Sequence, residues 1–400
     1  MKNKLSMVLA AALLTLTGCG TTTAKTSSEQ SKPLLNNDQQ ASVTMKVIHE
    51  TKFDSVYGEY TISQFKDAGF AFGDSVNVTF SSGFTFEDIP FYDGYYVKAG
   101  APLIVGYPGY PHIDFATNNK GECYQNLGLK DGDTMTITLN QKGKYLTEQE
   151  TFSTTYSDDR EQYTSDEEFA NFRAMNLSTM KENIFYRGAS PVDNQHNRAS
   201  YVDPLIEEAG VGFILDLADS ENDMKSYLNR AGYNSPYASE LYNYEDIAFL
   251  SMGSDFTAPI FQQKLATGLS ELIKHDGTYY IHCTEGKDRT GFVCYLLEAL
   301  TGAEYDELEH DYMVTYDNYY GINKEETKDK YDAIVDLRFK DFINFLTPTH
   351  DGSFLGERAS KEDGVFYSTN TSLAEAAKQY LIEGGMTKED VDTLINILKK

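Results

Sequence analysis

The 400-residue sequence has no tryptophan, only four cysteines and no run of basic residues. Four cysteines (Cys19, Cys123, Cys283 and Cys294) in a chain of this length do not make a disulfide framework. None of them has the CxxC or Cys/His spacing of a metal centre, so neither a metal nor another cofactor is expected. The formal net charge is −27, uninterrupted by any Lys/Arg-rich segment. Such a surface repels nucleic acid, which excludes nucleic acid as a partner, and an anionic ligand must be captured by a local concentration of donors. Long apolar runs are missing too. The uncharged stretch Leu5 to Leu16 falls short of the roughly 20 residues that span a bilayer. What is present suffices for folding: hydrophobic residues make up 40% and aromatics 13%, and the length suits two domains, each with its own core.

Lys2 and Lys4 precede that short apolar stretch, and Leu16-Thr17-Gly18-Cys19 follows it, which is the layout of a secretory signal. The tetrapeptide resembles the lipobox of bacterial lipoproteins. The resemblance implies cleavage before Cys19, lipid attachment to its sulfur, and anchoring of the chain at the extracytoplasmic face of the cell membrane. Removing residues 1–18 takes away two lysines and no acid, so the charge moves from −27 to −29. Residues 20–44 are polar and aperiodic, and read as a tether.

From residue 45 to 156 the pattern is short alternating runs punctuated by turns. Ser75-Val76-Asn77-Val78-Thr79-Phe80 and Thr134-Met135-Thr136-Ile137-Thr138-Leu139 alternate with period two, and Asp131-Gly132-Asp133 supplies a turn before the second. A small all-β barrel or sandwich is predicted. Residues 73–139 also resemble the β-barrel C-terminal domain of the S-adenosylmethionine hydrolase and hydroxide adenosyltransferase group, which implies a fold and no activity. Phe91 to Tyr96 and Gly106 to Pro111 set aromatics beside turn residues, as core packing or as a ligand surface.

The acidic stretch 157–170 marks a boundary, after which strands and helices alternate. Gly212 to Leu217 and Thr278 to Ile281 read as buried parallel strands, Phe261 to Lys274 and Arg289 to Leu300 as helices, with Gly302 as a stop. Leu373 to Leu381 and Lys388 to Leu398 are two closing amphipathic helices. Residues 157–400 are thus predicted to form an α/β domain, a central sheet flanked by helices, with its loops at the carboxyl ends of the strands.

Between the second strand and its helix lies His282-Cys283-Thr284-Glu285-Gly286-Lys287-Asp288-Arg289-Thr290-Gly291, a Cys and an Arg with five residues between. A loop closing into a helix N-terminus turns successive N–H groups towards an anion, aided by the helix dipole. Thr284, Glu285, Gly286, Lys287 and Thr290 would line that site, with Gly286 permitting the curl. Arg289 suits bidentate contact with phosphate oxygens. The same field favours the thiolate of Cys283, which is the nucleophilic form.

This loop resembles the signature of the protein tyrosine phosphatase superfamily, and its Gly-Lys-Asp-Arg-Thr-Gly ending is similar to that of the secreted bacterial tyrosine and phosphoinositide phosphatases. Asn171-Phe172-Arg173, Phe185 to Pro191, Ile214-Leu215-Asp216-Leu217 and Asp311 to Thr315 look like the subgroup's flanking motifs in the same order. The resemblance implies attack by Cys283 on phosphorus, a phosphocysteine intermediate, stabilisation by Arg289, and hydrolysis. It also implies that Thr290 hydrogen-bonds the departing sulfur and that His282 fixes the loop backbone. Asp288 resembles the subgroup's general acid, while Asp255 and Asp216 are alternatives. Two departures stand out: Ala218 replaces an Arg, and Glu285 puts a carboxylate where a small neutral residue is commoner.

The expected activity is hydrolysis of phosphomonoesters, foremost protein phosphotyrosine. Lys287 keeps open a phosphoinositide or inositol-phosphate substrate. A non-enzymatic lipoprotein binding ligands through the aromatic β domain is the third alternative, and the Cys-Arg pair argues against it. Cys294 and Cys123 read as buried core thiols, with a disulfide between Cys283 and Cys294 conceivable.

Overall fold

The computed structural model describes residues 41–98, 100–118, 123–347 and 372–400. The expected signal, Cys19 and most of the tether lie outside the described residues.

Seven strands close into a barrel: β1 (Ser42–Glu50), β2 (Ser55–Gly58), β3 (Ser75–Phe80), β4 (Thr85–Tyr92), β5 (Pro102–Val105), β6 (Asp114–Thr117) and β7 (Thr134–Gln141). Their order around the barrel is β1-β2-β6-β5-β4-β3-β7. All pairs are antiparallel except β4 with β5. The alternation seen in the sequence sends Met45, Val47, Val76, Val78, Phe80, Met135 and Ile137 into one buried core. Closure depends on β1 meeting β7, with Ser42 opposite Thr138 and Thr44 opposite Thr136. Both pairs join hydroxyls across the strands, at 3.1 and 2.9 Å. Residues 42–44, expected in the tether, are therefore the start of the barrel; their Ser and Thr read as linker because they form its outer ladder.

The second sheet runs β11-β10-β12-β9-β8, made of β8 (Arg173–Ala174), β9 (Phe185–Gly188), β10 (Val211–Asp216), β11 (Ile247–Phe249) and β12 (Thr278–His282). Neighbours are parallel except the short edge strand β8. Strand alternation divides the core in two. Phe185, Phe213, Leu215, Tyr279 and Ile281 face the side covered by helices Pro259–Leu272, Asp288–Thr301, Leu373–Gly384 and Lys388–Leu398. Val211, Ile214 and Tyr280 face the side covered by helices Ala199–Glu208 and Pro236–Asn243. Two-sided burial explains why these strands read as unbroken apolar runs. Pro259 opens its helix at a position where a missing N–H costs nothing, and Gly302, at φ +82°, closes the Asp288–Thr301 helix.

Residues 157–170, read as a boundary, are held against the α/β domain. Phe169 is fully buried, and the buried Arg198 donates to Phe169 O at 2.8 Å and to Asp158 Oδ1 at 2.9 Å. The Arg198 guanidinium also lies over the rings of Phe169, Tyr319 and Tyr156 at 4.5, 4.9 and 5.0 Å. No helix among the described residues is long and apolar enough to cross a membrane.

Phe292 holds the larger core together, stacking on Phe256 at 4.5 Å and meeting Phe261, Phe342 and Tyr380 edge-on. Phe292→Ala is expected to cost about 3–5 kcal/mol, read as a lower midpoint in urea unfolding; a change below about 1 kcal/mol would contradict this packing role.

Candidate active site

Strands β10 and β12 end side by side, with Asp216 opposite His282, and the loop 283–287 leaves this edge to enter the Asp288–Thr301 helix. The placement of its peptide planes follows from where its carbonyls go. His282 O accepts from Leu217 N–H at 2.9 Å, and Cys283 O lies 3.2 Å from the His282 ring Nδ1. Thr284 O accepts from Ser190 N–H at 3.1 Å. Glu285 O accepts from the Tyr319 hydroxyl at 2.6 Å, and Gly286 O from Asn171 Nδ2 and Arg187 Nη2, both at 3.2 Å. Lys287 O takes the N–H of Gly291 at 2.8 Å, beginning the helix.

Each carbonyl is thus fixed by a group outside the loop or by the helix, and in a trans peptide the following N–H points the opposite way. The N–H groups of residues 284–288 consequently turn to the other side, and among the described residues no acceptor takes a hydrogen bond from them. A row of amide donors at a helix N-terminus is an anion site. Gly286 makes the curl possible with φ +70°, and a Cβ there would lie 2.3 Å from Gly188 O.

The anchors of the loop are themselves held by charge. Asp311 Oδ1 accepts from Arg173 Nε at 2.9 Å and Oδ2 from Arg187 Nη1 at 2.6 Å. Arg173 Nη1 in turn donates to Asn171 Oδ1 at 2.8 Å. All of these groups are buried or nearly so, and although burial works against the carboxylate, the two guanidiniums hold Asp311 far below the ordinary aspartate range. Asn171 adopts φ +50°, a conformation asparagine tolerates better than most residues. The motifs 171–173, 185–191 and 311–315 therefore converge physically on two carbonyls of the loop.

Cys283 is buried at the base of the loop and is a free thiol, as are Cys294 and Cys123. Arg289, in the first turn of the helix, donates from Nη1 to Met252 O at 3.0 Å and from Nη2 to Thr284 Oγ1 at 3.3 Å. Thr290 Oγ1 is buried and makes no hydrogen bond among the described residues. Asp288 is the first residue of the helix, with a side chain 60% exposed, so its carboxylate reaches solvent at the rim. Cys294 sits in the helix core, where burial pushes its thiol up to about 12.

The three acid candidates occupy different places. Asp255 is exposed and caps a turn, accepting from the N–H and hydroxyl of Thr257 at 2.9 and 2.5 Å. Asp216 is fully buried, with Oδ1 taking the N–H groups of Ala218 and Asp219 at 2.9 and 3.0 Å. It braces the end of its strand. Burial raises it to about 6, lowers His282 to about 4, and raises Asp219 to about 7 with help from the Asp216 charge.

Four groups at the site carried no usable sign in the sequence. Tyr156 donates its hydroxyl to Glu285 Oε1, and His196 Nε2 lies 3.6 Å from the same oxygen. Tyr319 and Tyr320 stand beside them, Tyr319 stacked on Tyr156 at 4.8 Å. Glu285 in turn pairs with Lys287 at 3.1 Å. Tyr156 falls in the segment assigned to the β domain, yet it reaches the loop.

Residues 167–400 match the tyrosine phosphatase family. No curated protein matches the chain. Among solved structures, an uncharacterized conserved protein from Thermotoga maritima is 23% identical over 27% of this chain and 41% of its own length, with a TM-score of 0.21. The chain therefore spans less than half of that protein.

Two outcomes test the geometry. Gly286→Ala is expected to weaken tungstate binding at least about tenfold by calorimetry, because a Cβ cannot be seated against Gly188 O; unchanged affinity would contradict the loop shape. Asp219 is raised from an unfolded value near 3.9 to about 7, so the folded state holds the extra proton between those values and stability falls as pH rises through them. Asp219→Asn should gain in melting temperature relative to the parent as pH goes from 5 to 8; a pH-independent difference would contradict burial of this acid.

Proposed function

Because the chain belongs to the tyrosine phosphatase family over residues 167–400, we propose that this loop hydrolyses phosphomonoesters through a covalent phosphocysteine on Cys283. The observation that carries the reading is the row of loop amides whose carbonyls are all tied elsewhere. A phosphate dianion seated there has three oxygens among N–H donors and Arg289. The guanidinium exchanges its contacts with Met252 O and Thr284 Oγ1 for phosphate oxygens.

The Cys283 thiolate attacks phosphorus in line as the leaving oxygen departs, and the loop amides stabilise the equatorial oxygens. The leaving oxygen takes a proton from Asp288, whose rim position puts its carboxyl at the solvent side of the loop. Water then attacks the phosphocysteine, giving up a proton to the Asp288 carboxylate, and the S–P bond breaks to return the thiolate and inorganic phosphate. The Thr290 hydroxyl, buried and uncommitted, serves as a donor to the departing sulfur. His282, kept neutral by burial, holds the Cys283 carbonyl and so orients the nucleophile's own peptide.

Protein phosphotyrosine is the substrate we propose, reached from a membrane anchor at Cys19 on the extracytoplasmic side. Two features favour it: the strongly acidic chain and the carboxylate of Glu285 in the loop. Lys287 favours the second reading, a phosphoinositide or inositol phosphate, since its ammonium is an additional cation at the mouth.

The test is turnover of phosphotyrosine peptides, phosphoserine peptides, phosphoinositides and inositol polyphosphates by the purified chain. Cys283→Ser should reduce kcat by about 10⁴-fold or more, and Asp288→Asn by about 10²–10⁴-fold on alkyl esters with a smaller loss on aryl esters of low leaving-group pKa. Undiminished turnover by the Ser variant would overturn the mechanism, and an equal Asp288→Asn loss on all leaving groups would move the acid elsewhere.

A further inference from the structure

Lys287 is the loop cation that a second phosphate would use, and its charge is already committed. Its Nζ lies 3.1 Å from Glu285 Oε2, 3.2 Å from the Tyr320 hydroxyl and 3.9 Å from Asp288 Oδ2. Burial opposes this ammonium, yet Asp288, Tyr320 and Glu285 outweigh it and keep the proton more tightly bound than in free lysine. Glu285 shows the matching behaviour: burial opposes its ionisation, but Lys287 and the Tyr156 hydroxyl bring it below the ordinary glutamate range. The pair is ionised and partly exposed, with side chains 22% and 18% accessible, so it borders the space a substrate enters.

The position of Glu285 is not left to its own rotamer. Tyr156 donates to Oε1, His196 stands 3.6 Å from the same atom, and Asp158 lies 3.1 Å from the other nitrogen of that ring. The Tyr319 hydroxyl holds the backbone carbonyl of the same residue, and Tyr156 stacks on the Tyr319 ring. Tyr156 and Asp158 precede residue 167, so the brace on this carboxylate comes from a segment outside the family match. A built support of this kind fixes a charge in place.

We propose that Glu285 is a specificity-determining residue, a fixed anionic filter that restricts the site to substrates bearing one phosphate on an uncharged scaffold and turns away multiply phosphorylated ones. The inference rests on the phosphatase reading above and names its substrate class. The primary phosphate meets the loop amides and Arg289, which Glu285 does not neutralise. A second phosphate on a neighbouring ring carbon comes over the Glu285–Lys287 pair, where the carboxylate cancels the ammonium and repels the incoming dianion. Removing the carboxylate frees Lys287 for that phosphate.

The experiment is the ratio of kcat/KM for an inositol polyphosphate to that for a phosphotyrosine peptide, measured for the parent, Glu285→Gln, Glu285→Ala, and each combined with Lys287→Gln. Loss of the charge should raise the ratio by about tenfold to hundredfold, the scale of one nearby charge at the effective dielectric of a protein surface. Lys287→Gln in the same chain should cancel most of the rise, and added salt should shrink it. A ratio unchanged in variants that melt cooperatively, or a rise that survives loss of Lys287, overturns the filter while leaving the phosphatase reading intact. Turnover of neither substrate by the parent, or full turnover by Cys283→Ser, overturns the reading beneath it.

Discussion

The site depends on the outward commitment of carbonyls in one loop. Backbone amides are available to an anion only where the opposite faces of their peptide planes are satisfied elsewhere, since an unpaired buried carbonyl costs about as much as the hydrogen bond it lacks. Here Leu217, Ser190, Asn171, Arg187 and Tyr319 supply those partners from four separate stretches of the chain. Preorganisation of this kind is what makes a loop an oxyanion site, because no reorganisation is left for the moment of reaction.

That commitment reaches well behind the loop. Arg187 is almost wholly buried and is tolerable there because Asp311 accepts from it, and Asp311 is tolerable because Arg173 shares it. Buried charges of this sort contribute little net stability when intact, and removing one partner leaves an uncompensated ion. The value of the network lies in position: it fixes Asn171 and Arg187 against Glu285 O and Gly286 O. The sheet performs the same service from the other side, where Asp216 and His282 end adjacent strands and brace the turn and the Cys283 peptide.

Much of this was legible because it is periodic or local. Val76, Val78 and Phe80 announce a half-buried strand, Phe213 to Leu215 a doubly buried one, and Cys283 to Gly291 combines a strand end, a glycine and a helix start. What escaped was long-range and polar. Ser42 and Thr44 resemble linker residues until Thr138 and Thr136 are seen opposite them. Asp216 sits in sequence where an acid would serve catalysis, and only its buried hydrogen bonds to Ala218 and Asp219 reveal a bracing role. Tyr156 and His196 lie 129 and roughly 90 positions from Glu285, with no spacing rule to connect them. The acidic stretch after Tyr156, placed with the α/β domain from its sequence, is held there by contacts the sequence does not display, the buried Phe169 ring and the hydrogen bond from Arg198 to its carbonyl.

The proposed mechanism requires the sulfur of Cys283 to become covalently bonded to phosphorus during turnover. Rapid acid quenching of the enzyme with a ³²P-labelled phosphotyrosine peptide, followed by peptide mapping, addresses it directly. A phosphocysteine intermediate gives transient label on the peptide containing Cys283, at up to one phosphate per chain and absent from Cys283→Ser. Full-rate phosphate release with no labelled enzyme at any quench time, or label on a different residue, would contradict it.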